Sequence, residues 1–151
     1  MSENLEGGLM SAPFATATEH PMSSGQVATG TRKRAALEFL RLSAAGEPRE
    51  AFESYASPYF RHHNAHVPSD AESLILAMEK DAAQNPEKVL EVLRAMEDGD
   101  LVAVHARVRR KPDDPGWSVI HIFRFEDDHI VELWDVGQEV MKKSPNDAGM
   151  F

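Results

Sequence analysis

The stretch Leu101–Val136, LVAVHARVRRKPDDPGWSVIHIFRFEDDHIVELWDV, carries the reading of the fold. Side-chain character alternates through Leu101–Arg110, Trp117–Phe125 and Ile130–Val136, the period of extended chain. In the first run Val102, Val104, Ala106 and Val108 share a face, opposite Leu101, Ala103, His105, Arg107 and Arg109. In the second, Trp117, Val119, His121, Phe123 and Phe125 stand together against Ser118, Ile120, Ile122 and Arg124. In the third, Ile130, Glu132, Trp134 and Val136 alternate with Val131, Leu133 and Asp135. Pro112–Gly116 and Glu126–Asp128 are loops of turn-forming residues. Three such runs in succession predict an antiparallel meander.

Upstream, Lys88–Met96 alternates loosely and joins the meander through the turn Glu97–Asp100. Before it the apolar period changes to that of helices. Thr31 is placed to cap a first helix carrying Ala36, Leu37, Phe39 and Leu40, which Gly46 and Pro48 end. Pro48 opens a second with Ala51, Phe52 and Tyr55, which Pro58 closes. Tyr59–Asn64 reads as a short extended or irregular segment. Ser69 then caps a third helix bearing Leu74, Ile75, Leu76 and Met78, and Asn85–Pro86 stops it. The expected class is α+β, with N-terminal helices packed in a curved antiparallel β-sheet. One domain spans residues 31–151, and residues 1–30, rich in Gly, Ser, Thr, Ala and Pro, form a flexible tail. Strands apolar on both faces need two covers. Helices supply one, and a second subunit is expected to supply the other, making a homodimer.

A chain of 151 residues is about one domain long, and its 42% apolar content supports a core. The net charge of −9 repels phosphate backbones. Its basic clusters, Arg32–Arg34 and Arg107 with Arg109–Lys111, sit at a helix start and a strand end, so nucleic acid is not expected as a partner. Without cysteine, disulfides, thiolate metal sites and cysteine nucleophiles are all excluded. No apolar run approaches the roughly 20 residues of a membrane helix. The first 30 residues lack the basic and apolar regions of a signal peptide, so a cytoplasmic protein with no membrane partner is expected. Phosphate-binding glycine loops, GxSxG and HExxH are absent.

His121 is the most informative position. Among Trp117, Val119, Phe123 and Phe125 it is either a neutral base with a lowered pKa or a core histidine satisfied by hydrogen bonds. If the strands pair symmetrically about Pro112–Gly116, partners' numbers sum to about 226, which sets His105 across from His121. Asp135 would orient a histidine or act as an acid/base, or else cap a strand end. Trp134 and Trp117 are candidates for substrate contact or for packing. His63, Asn64 and Tyr59 would donate hydrogen bonds to a substrate oxygen, the alternative being a solvated loop. His62 and His66 have the i,i+4 spacing of a zinc pair only on a helix, which Pro58, Asn64 and Pro68 disfavour, so no metal is expected.

The segments SVIHIFRFEDDHIVELWDV (118–136), YFRHHNAH (59–66) and the terminal KKSPNDAGMF (142–151) resemble the SnoaL-like, aldol-condensation-type polyketide cyclases of the nuclear-transport-factor-2-like (NTF2-like) superfamily. The resemblance covers residues 31–151. It implies a conical α+β barrel, usually dimeric through its outer sheet face, and catalysis without metal or organic cofactor. Relatives often carry aspartate where His121 stands. The implied function is an enzyme acting on a small, carbonyl-bearing, hydrophobic substrate by aldol-type cyclisation or isomerisation through an enolate, with His121, His105 and Asp135 as catalytic residues. The alternatives are a non-catalytic binding module and a dimeric interaction protein.

Overall fold

The computed structural model describes residues 30–151. Apart from Gly30, the expected N-terminal tail lies outside the described residues. Three helices precede most of the sheet: α1 (Thr31–Ala44), α2 (Pro48–Tyr55) and α3 (Ala71–Gln84). Five strands follow the order β1-β5-β4-β3-β2, with β1 at Ala56–His62, β2 at Val89–Asp98, β3 at Leu101–Arg109, β4 at Trp117–Glu126 and β5 at His129–Glu139. The sheet curves around the helices and stays unclosed.

Helix starts use different partners from those expected. Thr31 does not cap α1; Gly30 holds that place in a left-handed conformation without a side-chain bond. The exposed amides are met from the sheet instead, where Glu97 accepts from Gly30 N–H at 3.4 Å and Lys33 N–H at 2.9 Å. A carboxylate there answers both the orphan donors and the positive end of the helix dipole. At α3 the cap is Asp70 and not Ser69; its carboxylate accepts from Ser73 N–H at 2.9 Å.

β2 to β5 form the expected antiparallel meander. β1 corrects the expectation of a wholly antiparallel sheet, because it pairs parallel with β5, in register at Arg61↔Glu132 and His62↔Leu133. Alternation reports which residues share a face and is silent on strand direction. Pro58 is tolerated because β1 is an edge strand. Phe60 and His62 point inward, 6% and 4% exposed, while Tyr59 between the helix and them is 86% exposed.

The β3–β4 register differs from the expected one by a single residue. Val104 faces His121 and His105 faces Ile120, so partner numbers sum to 225. Gly116 takes up the difference. It is left-handed (φ +83°), and a Cβ there would lie 2.3 Å from the Val108 carbonyl oxygen, so only glycine fits this close turn. Because side chains alternate with period two, a slip of one residue exchanges the faces. His105 and His121 therefore lie on opposite sides of the sheet.

The core sits between the helices and the concave face. Phe39 of α1 touches Phe52 of α2 (ring centroids 5.0 Å) and meets Phe123 of β4 edge-on (5.7 Å), and Phe52 meets Phe60 of β1 edge-on at 4.9 Å. Val102, Val104, Phe125, Ile130 and Leu133 complete the layer. Phe39 is fully buried and joins three elements. Its truncation to alanine loses apolar burial and leaves a cavity, which costs about 3–5 kcal/mol. Urea unfolding of Phe39→Ala is expected to show that loss, and one below about 1 kcal/mol would contradict this account of the core.

Candidate functional site

Inward-facing positions of β1, β4 and β5 converge on one small enclosed cavity of about 50 Å³. Phe39 and Leu40 of α1, Leu74 and Met78 of α3, and Leu133 of β5 supply its apolar wall. Four polar side chains share it: His62, Asn64, His121 and Asp135. His121 and Asp135 are register partners on β4 and β5. Their Cβ atoms are therefore roughly 5 Å apart on the same face.

His121 is unusual in what it lacks. Among the described residues neither ring nitrogen finds a hydrogen-bond partner, and Nδ1 is completely shielded from solvent. The reading of a core histidine satisfied by hydrogen bonds is thereby overturned. Burial pushes its pKa down to about 4, against a smaller upward pull from Asp135. The ring is neutral at pH 7. An unpaired buried polar atom costs roughly 1–3 kcal/mol. Of those among the described residues, the His121 nitrogen is the one in a cavity-lining residue.

Asp135 is held by the loop after β1. Asn64 Nδ2 donates to its Oδ2 at 2.8 Å, and Asn64 Oδ1 accepts from His66 N–H at 3.0 Å. The backbone donor fixes which end of the amide faces which partner. Thus Asp135 is oriented by Asn64, whereas His121 beside it is free.

The remaining expected site residues lie elsewhere. His105 is on the convex face, 8% exposed. Its Nδ1 accepts from Arg94 at 2.6 Å and its Nε2 donates to Ser118 Oγ at 2.9 Å. The Phe151 ring lies over it, centroids 6.1 Å apart, so it cannot pair with His121. Trp134 also faces outward, stacked on His63 at 4.9 Å with planes 2° apart. His63 in turn donates to Glu132 at 2.8 Å, and with Arg124 holds that carboxyl below its ordinary pKa. Tyr59 projects into solvent from the edge strand. Trp117 belongs to the concave face but stands about 13 Å along β4 from His121, outside the cavity lining. His62 lies on a strand and His66 in the following turn, so the helical i,i+4 geometry does not arise. Among the described residues no three His, Asp or Glu side chains gather as a metal site would need.

Sequence reasoning weighed His62 only as a metal ligand and did not place it in the site. Its signal was there: with Phe60 it keeps the period of two on β1, the register that brings it inside.

Comparison with known proteins follows this geometry. The profile of the SnoaL-like domain matches residues 36–133, well over half of the chain. No curated protein matches in sequence. Among solved structures, AclR from Streptomyces galilaeus, named as a hydroxylase, superposes with a TM-score of 0.62 at 22% identity, covering 74% of this chain and 91% of its own. TsrD from Streptomyces laurentii gives 0.62 at 20% identity over 75% and 92%. A protein from Jannaschia sp. CCS1 named as a SnoaL-like polyketide cyclase gives 0.61 at 17% over 76% and 92%. At these identities the likeness establishes a shared fold, and the neighbours' names already span different chemistries.

The low pKa of His121 has a consequence for stability. Unfolded, this histidine takes up its proton near pH 6.5; folded, it does so only near 4. Between these values the unfolded state binds more protons, so stability falls as the pH drops from 6.5 to 4 and is complete above that window. The contribution is on the order of 1–3 kcal/mol. In His121→Leu the pH dependence of unfolding free energy over this window is expected to flatten, and an unchanged slope would contradict the buried neutral ring. The chain belongs to the SnoaL-like domain family, with a neutral, unpartnered His121 beside Asp135 at the bottom of its cavity.

Proposed function

We propose that the protein is a cofactor-free acid/base enzyme acting on a small, carbonyl-bearing, mostly apolar molecule. The observation that carries this is the imidazole of His121, unpartnered inside a cavity where an oriented carboxylate stands beside it. A ring with a pKa near 4 is a feeble base toward a carbon-bound proton. The base role expected of His121 therefore passes to its neighbour. The Asp135 carboxylate takes the α-proton, the C–H electron pair moves into the enolate, and a neutral His121 N–H donates to the developing oxyanion. Return of the proton to another carbon gives isomerisation; attack of the enolate on a second carbonyl within the molecule gives aldol closure. At about 50 Å³ the cavity encloses only the reacting end of such a molecule. The family's link to polyketide cyclases supports the substrate class.

The small volume also supports a second reading, a module that binds a small metabolite without changing it. Deuterium incorporation distinguishes the two. Purified protein in D₂O with a panel of β-keto compounds is expected to exchange their α-hydrogens. His121→Ala should be slower by a hundredfold or more, and Asp135→Asn by at least as much. Exchange that survives both substitutions would overturn the mechanism. Ligand-induced rises in melting temperature without exchange in any compound would favour the binding module.

We further propose a homodimer through the convex face. Ile120 and Val136 stand there 38% and 69% exposed, beside the stacked Trp134 and His63. An apolar surface of this kind on a sheet is normally covered. Sedimentation equilibrium at micromolar concentration is expected to give twice the chain mass, and Val136→Glu to shift it toward monomer. A wild-type monomer at 100 µM, the order at which weak dimers form, would contradict the assignment.

A further inference from the structure

The loop that orients Asp135 has an anchor of its own. His62 is almost wholly buried, 4% exposed, yet both its ring nitrogens are engaged by the backbone of the same loop. Nε2 lies 2.6 Å from the Pro68 carbonyl oxygen, which can only accept. Nδ1 lies 3.2 Å from Asn64 N–H, which can only donate. Together these fix a neutral ring protonated on Nε2. Every bond onward is equally unambiguous: His66 N–H to Asn64 Oδ1, and Asn64 Nδ2 to Asp135. Further backbone bonds tie the segment to its surroundings, His62 N–H to Ser69 O at 3.3 Å and His63 N–H to Leu133 O at 3.0 Å.

We propose that His62 is a positioning residue for the acid/base site: it closes the loop Asn64–Pro68 around its imidazole and so aims the Asn64 amide at Asp135. The site role of the loop rests on the reading of Asp135 as the base; the clamp itself does not. A ring in this place has no free nitrogen to offer a substrate, so its influence passes through Asn64. Packing alone does not account for the arrangement. Beside His62 on the same strand face lies the Phe60 ring (stacked, centroids 6.4 Å apart), and an aliphatic residue would fill the space. What it would lose is an acceptor for Asn64 N–H and a donor for Pro68 O, leaving two backbone groups unpaired.

Three substitutions separate the roles. In His62→Asn the amide oxygen stands near the position of Nδ1 and keeps the bond to Asn64; in His62→Gln the amide nitrogen reaches toward Pro68; His62→Leu keeps volume only. Long-range ¹H–¹⁵N spectra of the wild type are expected to show His62 protonated on Nε2, and the Asn64 side-chain amide to be shifted and slow to exchange. His62→Leu should return that amide to the position and exchange rate of a solvated asparagine, with His62→Asn restoring it at least in part. Where exchange activity is measurable, His62→Leu should reduce it tenfold or more, and have little further effect in an Asn64→Ala background. An unperturbed Asn64 amide in a folded His62→Leu would overturn the proposal irrespective of activity. Additive losses in the double variant would do the same. Loss of the amide signature without loss of activity would leave the clamp standing and overturn its positioning role in the chemistry.

Discussion

The register between β3 and β4 governs the rest of the molecule. With Val104 opposite His121, the faces of both strands are set, and β5 must follow by placing Leu133 and Asp135 inward and Trp134 outward. The helices then seal a concave face made of Val102, Val104, Phe123, Phe125 and Ile130, where β4 and β5 contribute the polar pair His121 and Asp135. A slip of one residue would bury Ile120 and Ile122 and turn His121 and Asp135 out to solvent. Gly116 guards against that slip, because the chain can pass so close to the Val108 carbonyl only without a side chain.

The histidines on the two sides of the sheet consequently differ in how they are held. Outside, His105 is bonded through both ring nitrogens, by Arg94 and Ser118, and His63 is held by Glu132 and stacked on Trp134. Inside, His62 is equally saturated, by its own loop. Of the imidazoles inside, the His121 ring alone is left without a partner among the described residues. Desolvation keeps it neutral, so the cavity contains one charge-capable carboxylate and one uncharged donor/acceptor side by side. That division suits enolate chemistry, where a proton is taken at carbon while charge collects on oxygen.

Much of this was legible in the amino-acid order. The three alternating runs between Leu101 and Val136 announced β3, β4 and β5, and Pro48 marked the start of α2. His121, Asp135 and Asn64 were marked by residue type and by the likeness to SnoaL-like proteins, and the fold brings them to one cavity. What stayed hidden depended on long-range geometry. The length of a loop does not reveal how many residues its turn consumes, so the parity that separates His105 from His121 had no local signal. Nor did Glu97 announce itself as the cap of α1, since the contact spans more than sixty residues of chain. Tyr59, Trp134 and His63 have the residue types of a binding site, but strand alternation sends Tyr59 and Trp134 away from the cavity, and His63, just past β1, stacks on Trp134 outside. His62 illustrates the converse: an inward strand position, masked by a segment whose prolines read as irregular.

The most direct test labels the histidine rings with ¹⁵N and follows them while a small β-keto ester is added. Movement of the His121 nitrogens, with His105 and His63 unmoved, is the predicted result, since His121 is the unpartnered imidazole that lines the cavity. Movement of His105 or His63 with His121 unchanged would place the ligand on the convex face and contradict the account.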